Sequence, residues 1–131
     1  MGRPGIVIAE PMVLPEHELL SRIFRTLGDA TRLRVIEHLL ENQTASQTDL
    51  VEKLGATQSR LSEHMSSLVW CGFVEVERLG RRVQYRLVDR NAERFIGLAR
   101  AFLRNNPHAV GGCTPLEGRP PRQPLQVYGV L

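Results

Sequence analysis

Lysine is nearly missing from this sequence of 131 residues, since Lys53 is the single lysine among 17 basic side chains and the others are arginines. The net charge is only +3, with a calculated pI near 9.4. Guanidinium groups suit bidentate contacts with phosphate and with guanine edges. A codon bias toward arginine explains the ratio equally well. The charge therefore permits nucleic-acid binding without proving it.

Several other features are scarce, and each scarcity excludes a class of protein. There are only two cysteines, which indicates a reducing compartment rather than a disulfide-stapled secreted domain. No apolar run approaches the roughly 18 residues that span a membrane, and the patch at 6–9 is too short for a signal peptide. The sequence shows no glycine-rich phosphate loop, nucleophile elbow or paired-carboxylate cleft. We therefore expect a cytoplasmic protein that is not an enzyme and does not enter a membrane.

What the sequence does contain is one long stretch of helical periodicity followed by an alternating pattern. Apolar residues recur at helical spacing through the first part, and a period of two begins at Val74 and resumes at Val83 after Gly80. We predict an extended arm at 1–15, a domain at 16–105 and a Pro/Gly-rich tail at 106–131. Helices are predicted at about 16–27, 30–41, 46–54, 57–71 and 90–105, with a polar turn at 42–45 and a hairpin at 74–87. The predicted inward-facing residues of the second helix are Leu33, Ile36, Leu39 and Leu40.

This order predicts a mainly α fold with a small β-hairpin, a winged helix-turn-helix. The helix at 57–71 would lie in the major groove, and the arginine-rich hairpin tip would contact the backbone or the minor groove. Each polar residue taken singly is as readily a solvated surface group, and the combination favours DNA binding. The predicted DNA-contacting residues are Thr57, Gln58, Ser59, Arg60, Ser62, His64, Arg78, Arg81 and Arg82.

Four strings carry a family resemblance: Leu-Gly-Asp-Ala-Thr-Arg-Leu-Arg (27–34), Gln-Ser-Arg-Leu-Ser-Glu-His-Met (58–65), Cys-Gly-Phe-Val (71–74) and Gly-Arg-Arg-Val-Gln-Tyr-Arg-Leu (80–87). With them, residues 19–104 resemble the ArsR/SmtB family of bacterial metal-responsive repressors. The resemblance implies a homodimer that represses an operon from a pseudo-palindromic duplex operator. It also implies that the first and last helices form the dimer interface.

Two of the family's sensor sites are missing from this sequence. The Cys-x-Cys that usually precedes Asp-Leu in the third helix is replaced by Ser46-Gln47-Thr48. The His-containing site of the last helix is replaced by Asp89-Arg90-Asn91, with Phe102 and Asn105 further on. The resemblance therefore argues against zinc or nickel sensing of the usual kind.

A third arrangement, used by cadmium- and lead-responsive members, takes cysteines late in the recognition helix and one from the C-terminal region. Cys71 matches one of those positions, Ser67 replaces its partner, and Cys113 and His108 are candidates near the C-terminus. Two thiolates suffice for Hg(II), whereas Cd(II), Pb(II) or As(III) usually need a third ligand. We therefore expect a repressor that releases DNA on binding a thiophilic ion. The alternative is a winged-helix regulator that responds to oxidation or an organic ligand, or is constitutive, with Cys71 a buried hydrophobe and Cys113 an idle residue.

Overall fold

The computed structural model describes residues 14–113, and within them the elements follow one another closely along the chain. They are α1 (Glu16–Leu27), α2 (Ala30–Asn42), β1 (Ala45–Ser46), α3 (Gln47–Leu54), α4 (Gln58–Trp70), β2 (Val74–Leu79), β3 (Arg82–Leu87), α5 (Ala92–Asn105) and α6 (Pro107–Gly111). The chain divides into two compact units, residues 1–93 and 94–131. Most of the predicted arm (1–13) and of the tail (114–131) lies outside the described residues.

Helix starts in the first unit are set by local side-chain hydrogen bonds. The carboxylate of Asp29 accepts a hydrogen bond from the backbone N–H of Arg32 and begins α2. Ser46 and Asp49 form a reciprocal capping box at the start of α3. Such caps satisfy backbone donors that have no partner inside the helix. The predicted boundaries of α1, α2, α3 and α4 are confirmed to within one residue.

The sheet has one more strand than the predicted hairpin. Strands β2 and β3 pair antiparallel from Val74 opposite Leu87 to Leu79 opposite Arg82, which leaves Gly80 and Arg81 as the turn. Gly80 has φ 66°, in the left-handed region that glycine adopts without strain. Strand β1 pairs on the other edge of β3, with Ala45 opposite Tyr85. The predicted polar turn at 42–45 was therefore wrong at its end, because pairing with a distant strand makes Ala45 extended.

The hydrophobic core of the first unit lies between the helices and the inner face of the sheet. Its fully buried members are Val35, Ile36, Leu39, Leu50, Leu61, Met65, Leu68 and Val74. The prediction that Leu33 is buried was wrong, since this side chain is 36% exposed. The buried face of α2 is centred among Val35, Ile36 and Leu39, and Leu33 lies beyond its edge. Leu40 is only half-buried.

The C-terminal region differs from prediction at the start of α5 and in having a further helix after it, whereas α5 ends at Asn105 as predicted. The carboxylate of Asp89 accepts from the backbone N–H of Asn91 at 2.8 Å, which makes a turn, and α5 starts at Ala92 rather than at residue 90. Residues after 106 were expected to be irregular, but Pro107 begins the short helix α6. Proline is favoured there because its missing N–H would have no helical partner and its φ already fits a helix.

Large apolar side chains remain exposed on α1 and, in the second unit, on α5. Phe24 of α1 is 60% exposed, and Leu98 and Phe102 of α5 are 72% and 61% exposed. Each helix therefore carries apolar side chains that stay exposed among the described residues 14–113. Within residues 14–113, no helix is both long and apolar enough to cross a membrane.

Candidate nucleic-acid interface

Helices α3 and α4 form a helix-turn-helix, and a left-handed residue makes the turn between them. Gly55 has φ 71° and closes α3 with its N–H bonded to the carbonyl of Val51. Thr57 then caps α4, because its hydroxyl accepts from the backbone N–H of Arg60 at 3.2 Å. The inner side of α4 is anchored by fully buried Leu61 and by two further core residues one and two turns on. Burial of that side directs the opposite side of α4 to solvent.

The exposed side of α4 begins with the polar residues that the sequence singled out. Thr57, Gln58, Ser59 and Arg60 are all exposed in the first turn. Amide and guanidinium groups in this position can read adenine and guanine edges in a major groove, and the free N–H groups of a helix start favour a phosphate. The structure thus leaves these four predicted residues exposed at the start of α4.

Ser62 is exposed but already has a partner in the neighbouring helix. The side-chain amide of Gln47, at the first turn of α3, donates to the hydroxyl of Ser62 at 2.9 Å. This bond joins the two helices of the motif side chain to side chain. Sequence periodicity gave no signal for Gln47, since the contact depends on how α3 and α4 pack.

His64 has a different environment from the other predicted contact residues. Its imidazole is largely buried and Nδ1 accepts a hydrogen bond from Nε of Arg32 at 3.2 Å. The carboxylate of Asp29 is 3.7 Å from the same nitrogen, too far for a hydrogen bond. The shorter contact identifies Nδ1 as an acceptor, which puts the proton of the neutral ring on Nε2. The ring is therefore turned toward α2 rather than toward the solvent side of α4.

The pKa of the Asp29 carboxyl is shifted by its surroundings, which include Arg32 and His64. Burial acts to raise the pKa of its carboxyl. The backbone N–H of Arg32, the charge that His64 carries only when protonated, the backbone N–H of Thr31 and the Arg32 guanidinium act in the opposite direction. The net result is a pKa below the ordinary 3.8. Asp29 therefore stays ionised at neutral pH, because the hydrogen bonds and positive charges around it stabilise the carboxylate.

The wing carries three exposed arginines and one that is paired. Arg78, Arg81 and Arg82 lie exposed at the end of the β2–β3 hairpin. Arg86 instead donates from Nε to the carboxylate of Glu75 at 2.8 Å, and this hydrogen bond raises the pKa of Arg86 above its ordinary value. The unpaired positive charge thus concentrates at the hairpin tip, where a phosphate backbone would pass.

A groove of about 310 Å³ separates α4 from the sheet. Its lining residues are Gln47, Ser62, Met65, Ser66, Val69, Trp70, Val76, Arg78, Val83 and Tyr85. Burial raises the pKa of Tyr85, with Arg78 acting in the opposite direction, so the phenol stays protonated. Trp70 is 87% exposed at the end of α4. The helical periodicity of α4 did not predict this exposure of an aromatic side chain.

The two cysteines are free, exposed and in different units. Cys71 caps the C-terminus of α4, and its Sγ lies 2.9 Å from the hydroxyl of Thr26. In the second unit, Cys113 follows α6 and His108 lies within α6. Across residues 14–113, no three His, Cys, Asp or Glu side chains cluster in a way that would hold a metal ion.

Comparisons with known proteins identify the fold and the family. The family described as "Bacterial regulatory protein, arsR family" matches residues 29–76, from the cap of α2 into β2. A probable mercury resistance operon repressor of Streptomyces lividans is 36% identical over 98 residues, covering 75% of this chain and 78% of that protein. The chain belongs to the ArsR family. It is accordingly a transcriptional repressor of the ArsR/SmtB type and not an enzyme.

Solved structures of similar fold agree with this assignment. The crystal structure of Rv0081 from M. tuberculosis has a TM-score of 0.64 at 26% identity and covers 71% of this chain and 93% of that chain. A homodimeric winged helix-turn-helix DNA-binding domain of Mycobacterium bovis has a TM-score of 0.60 at 22% identity, covering 70% and 85%. The ArsR-family chain therefore has the predicted winged helix-turn-helix fold.

Proposed function

We propose that this ArsR-family repressor binds its operator as a homodimer and releases it when Cys71 is captured by a thiophilic metal ion. The observation that carries the proposal is the position of Cys71, an exposed free thiol at the C-terminal cap of the helix that reads DNA. Ligation there would act on the end of α4 itself. The mercury resistance repressor of Streptomyces lividans supports the same class of signal.

The DNA-contacting surface would consist of the first turns of α4 and the wing. Gln58 and Arg60 would read base edges, Thr57 and Ser59 would meet a phosphate, and the wing arginines would follow the backbone; all of these residues are exposed. Ser62 would contribute to DNA contact while its hydroxyl accepts the hydrogen bond from Gln47. His64 faces α2 and would contribute mainly by holding α4 in place.

Dimer formation would use the uncovered apolar faces of α1 and α5. Exposed aromatic and aliphatic residues at Leu20, Phe24, Leu98 and Phe102 are costly in water and are typical of a subunit interface. The homodimeric Mycobacterium bovis domain has the same fold. A two-fold dimer would present two copies of α4 to successive half-sites of a pseudo-palindromic operator.

The residues that would hold the ion are Cys71 and Cys113, with His108 as a third donor. Both thiols are free, and two thiolates satisfy the preference of Hg(II), so the donor set fits a soft ion. The two cysteines can come from one chain or from both chains of the dimer. A soft metal ion supplies metal–sulfur bonds that are stronger than the hydrogen bond Cys71 makes in the free protein.

Cys71 would change its partner on ligation. The hydroxyl of Thr26 donates to the carbonyl of Arg22 at 2.9 Å, so its one proton is committed and the thiol of Cys71 donates to the hydroxyl oxygen. A thiolate has no proton to donate, and this bond between the end of α4 and α1 would be lost. Coupling of this kind is reciprocal, so operator DNA would weaken metal binding by the same factor by which metal weakens DNA binding.

The test measures fluorescence anisotropy of a duplex from the gene's own upstream region, with wild type, Cys71→Ser and Cys113→Ser compared. Hg(II), Cd(II), Pb(II), As(III) and Zn(II) are titrated separately, and thiolate–metal absorbance reports metal binding without DNA. We expect one soft ion to release wild type and to leave both variants on the duplex. Tight operator binding that no ion disturbs, or full release of Cys71→Ser, would refute the metal response and direct attention to oxidants or organic ligands.

A further inference from the structure

Among residues 14–113, Thr26 is the one buried residue of the polar and charged types, and only 6% of its surface is exposed. It occupies the last turn of α1 and uses three polar contacts. Its hydroxyl donates to Arg22, the same oxygen lies 2.9 Å from Sγ of Cys71, and its carbonyl accepts from Nη1 of Arg32 at 3.2 Å. A buried polar residue with every group engaged fixes the elements around it in one arrangement.

Helix α4 is attached to this residue at two points. Cys71 contacts the Thr26 hydroxyl directly, and His64 is connected to the Thr26 carbonyl through Arg32, which donates to both. His64 and Cys71 are seven residues apart, about two helical turns, so they lie on the same side of α4. Two attachments on one side resist rotation of a helix about its axis better than apolar packing, which tolerates small slips.

We propose that Arg32 is a positioning residue for operator reading, which sets the rotation of α4 through His64 and Thr26 without touching DNA. The planar fork of arginine allows Nε and Nη1 to bind two acceptors at once, whereas lysine offers a single ammonium group. Arg32 is half-buried on α2, and its contact with α4 is made through His64, one helical turn after Arg60. The proposal needs only the DNA-binding function and stands whether or not the protein responds to metal.

A rotation of α4 should affect base reading and phosphate binding differently. Base contacts by Gln58 and Arg60 depend on hydrogen-bond geometry, which weakens steeply when donors are misaligned. Phosphate contacts by the wing arginines depend mainly on charge. Loss of the two Arg32 hydrogen bonds, to His64 and to the Thr26 carbonyl, should therefore lower affinity for the operator while leaving affinity for an unrelated duplex unchanged.

The test compares Arg32→Lys, which keeps the charge, with Arg34→Lys on the same helix as a matched control. Arg34 makes only a long 3.5 Å contact with the Leu54 carbonyl. Affinities for the operator and for a scrambled duplex are measured over a range of salt concentrations. We expect Arg32→Lys to weaken operator binding by roughly tenfold or more, with scrambled-duplex binding and the salt slope at wild-type values. Arg34→Lys should stay within about twofold of wild type on both duplexes.

Two further variants test whether Arg32 acts on α4 through its hydrogen bond to His64. His64→Leu removes the acceptor and should give the same selective loss, whereas His64→Gln, which keeps an acceptor oxygen, should retain more operator affinity. In a double-mutant cycle, Arg32→Lys should cost little more once His64 is leucine. These variants also test the proposal if Arg32→Lys fails to fold, which thermal unfolding would show.

Four results would overturn the proposal. Equal losses on operator and scrambled duplex would indicate a general structural defect. In Arg32→Gln, which removes the charge, a decrease in the salt slope of about two per dimer would show that Arg32 contacts phosphate directly. Wild-type operator affinity of Arg32→Lys, or full additivity with His64→Leu, would show that the fork does not position α4.

Discussion

The wing arginines give a quantitative prediction for the salt dependence of operator binding. Arg78, Arg81 and Arg82 are exposed at the hairpin tip, whereas Arg86 on the same hairpin is paired with Glu75 at 2.8 Å. If each exposed arginine meets a phosphate, a dimer releases about six counterions from the wings alone. Replacing all three by glutamine should remove this share of the salt dependence.

The size of the effect follows from the counterion relation. Six phosphate contacts on B-DNA correspond to a slope of roughly −5 in log affinity against log salt concentration. Between 50 and 200 mM salt, that slope is equivalent to an approximately thousandfold loss of affinity. The triple glutamine variant should therefore bind operator much less tightly at low salt and approach wild type as the salt concentration rises.

The assay is anisotropy of a labelled operator duplex at a series of salt concentrations. Arg86→Gln is the matched control, because Glu75 already neutralises that charge and its loss should leave the slope within about one unit of wild type. A triple variant with the wild-type slope would refute the assignment of these arginines to the DNA backbone. If Arg86→Gln changed the slope as much as the triple variant does, net charge would matter more than the position of the arginines on the hairpin.

Three further predictions concern stability and assembly. Because the pKa of Asp29 is lowered in the folded protein, its ionised carboxylate stabilises the fold above pH 3.8, and this effect is lost as the pH falls through the lower folded value. In urea unfolding, Asp29→Asn should therefore be less stable than wild type at pH 7, and the difference should shrink at pH 2–3. A difference that stays constant with pH would contradict this. Leu61→Ala should lower the free energy of unfolding by about 2–5 kcal/mol, whereas Leu79→Ala, on an exposed residue, should cost under about 0.5 kcal/mol; equal costs would contradict the assigned core. Phe24→Ser should shift sedimentation toward monomer with little change in helix content, and an unaltered dimer would exclude α1 from the interface.

Much of the local structure followed from short-range chemistry. Asp29, Ser46 and Thr57 each begin a helix through a hydrogen bond to a backbone N–H three residues on, a contact that depends only on neighbouring residues. Gly55 and Gly80 supply left-handed turns for the same reason. The winged helix-turn-helix and its family were predictable because these local signals occur in the right order.

The errors arose where a distant partner determines the conformation. Strand β1 is extended because Ala45 pairs with Tyr85, forty residues along the chain. Leu33 is exposed because α2 packs through Val35, and a helical pattern alone does not determine the centre of the buried face.

The candidate site divides in the same way. Residue type and order along one helix and one hairpin were enough to predict which helix would read DNA and which arginines lie at the hairpin tip. Three contacts were not predictable from the sequence: Arg32 donates to His64, Gln47 donates to Ser62, and Cys71 lies against Thr26. Those contacts join residues from separate helices, and their distances depend on how the helices pack rather than on their spacing along the chain.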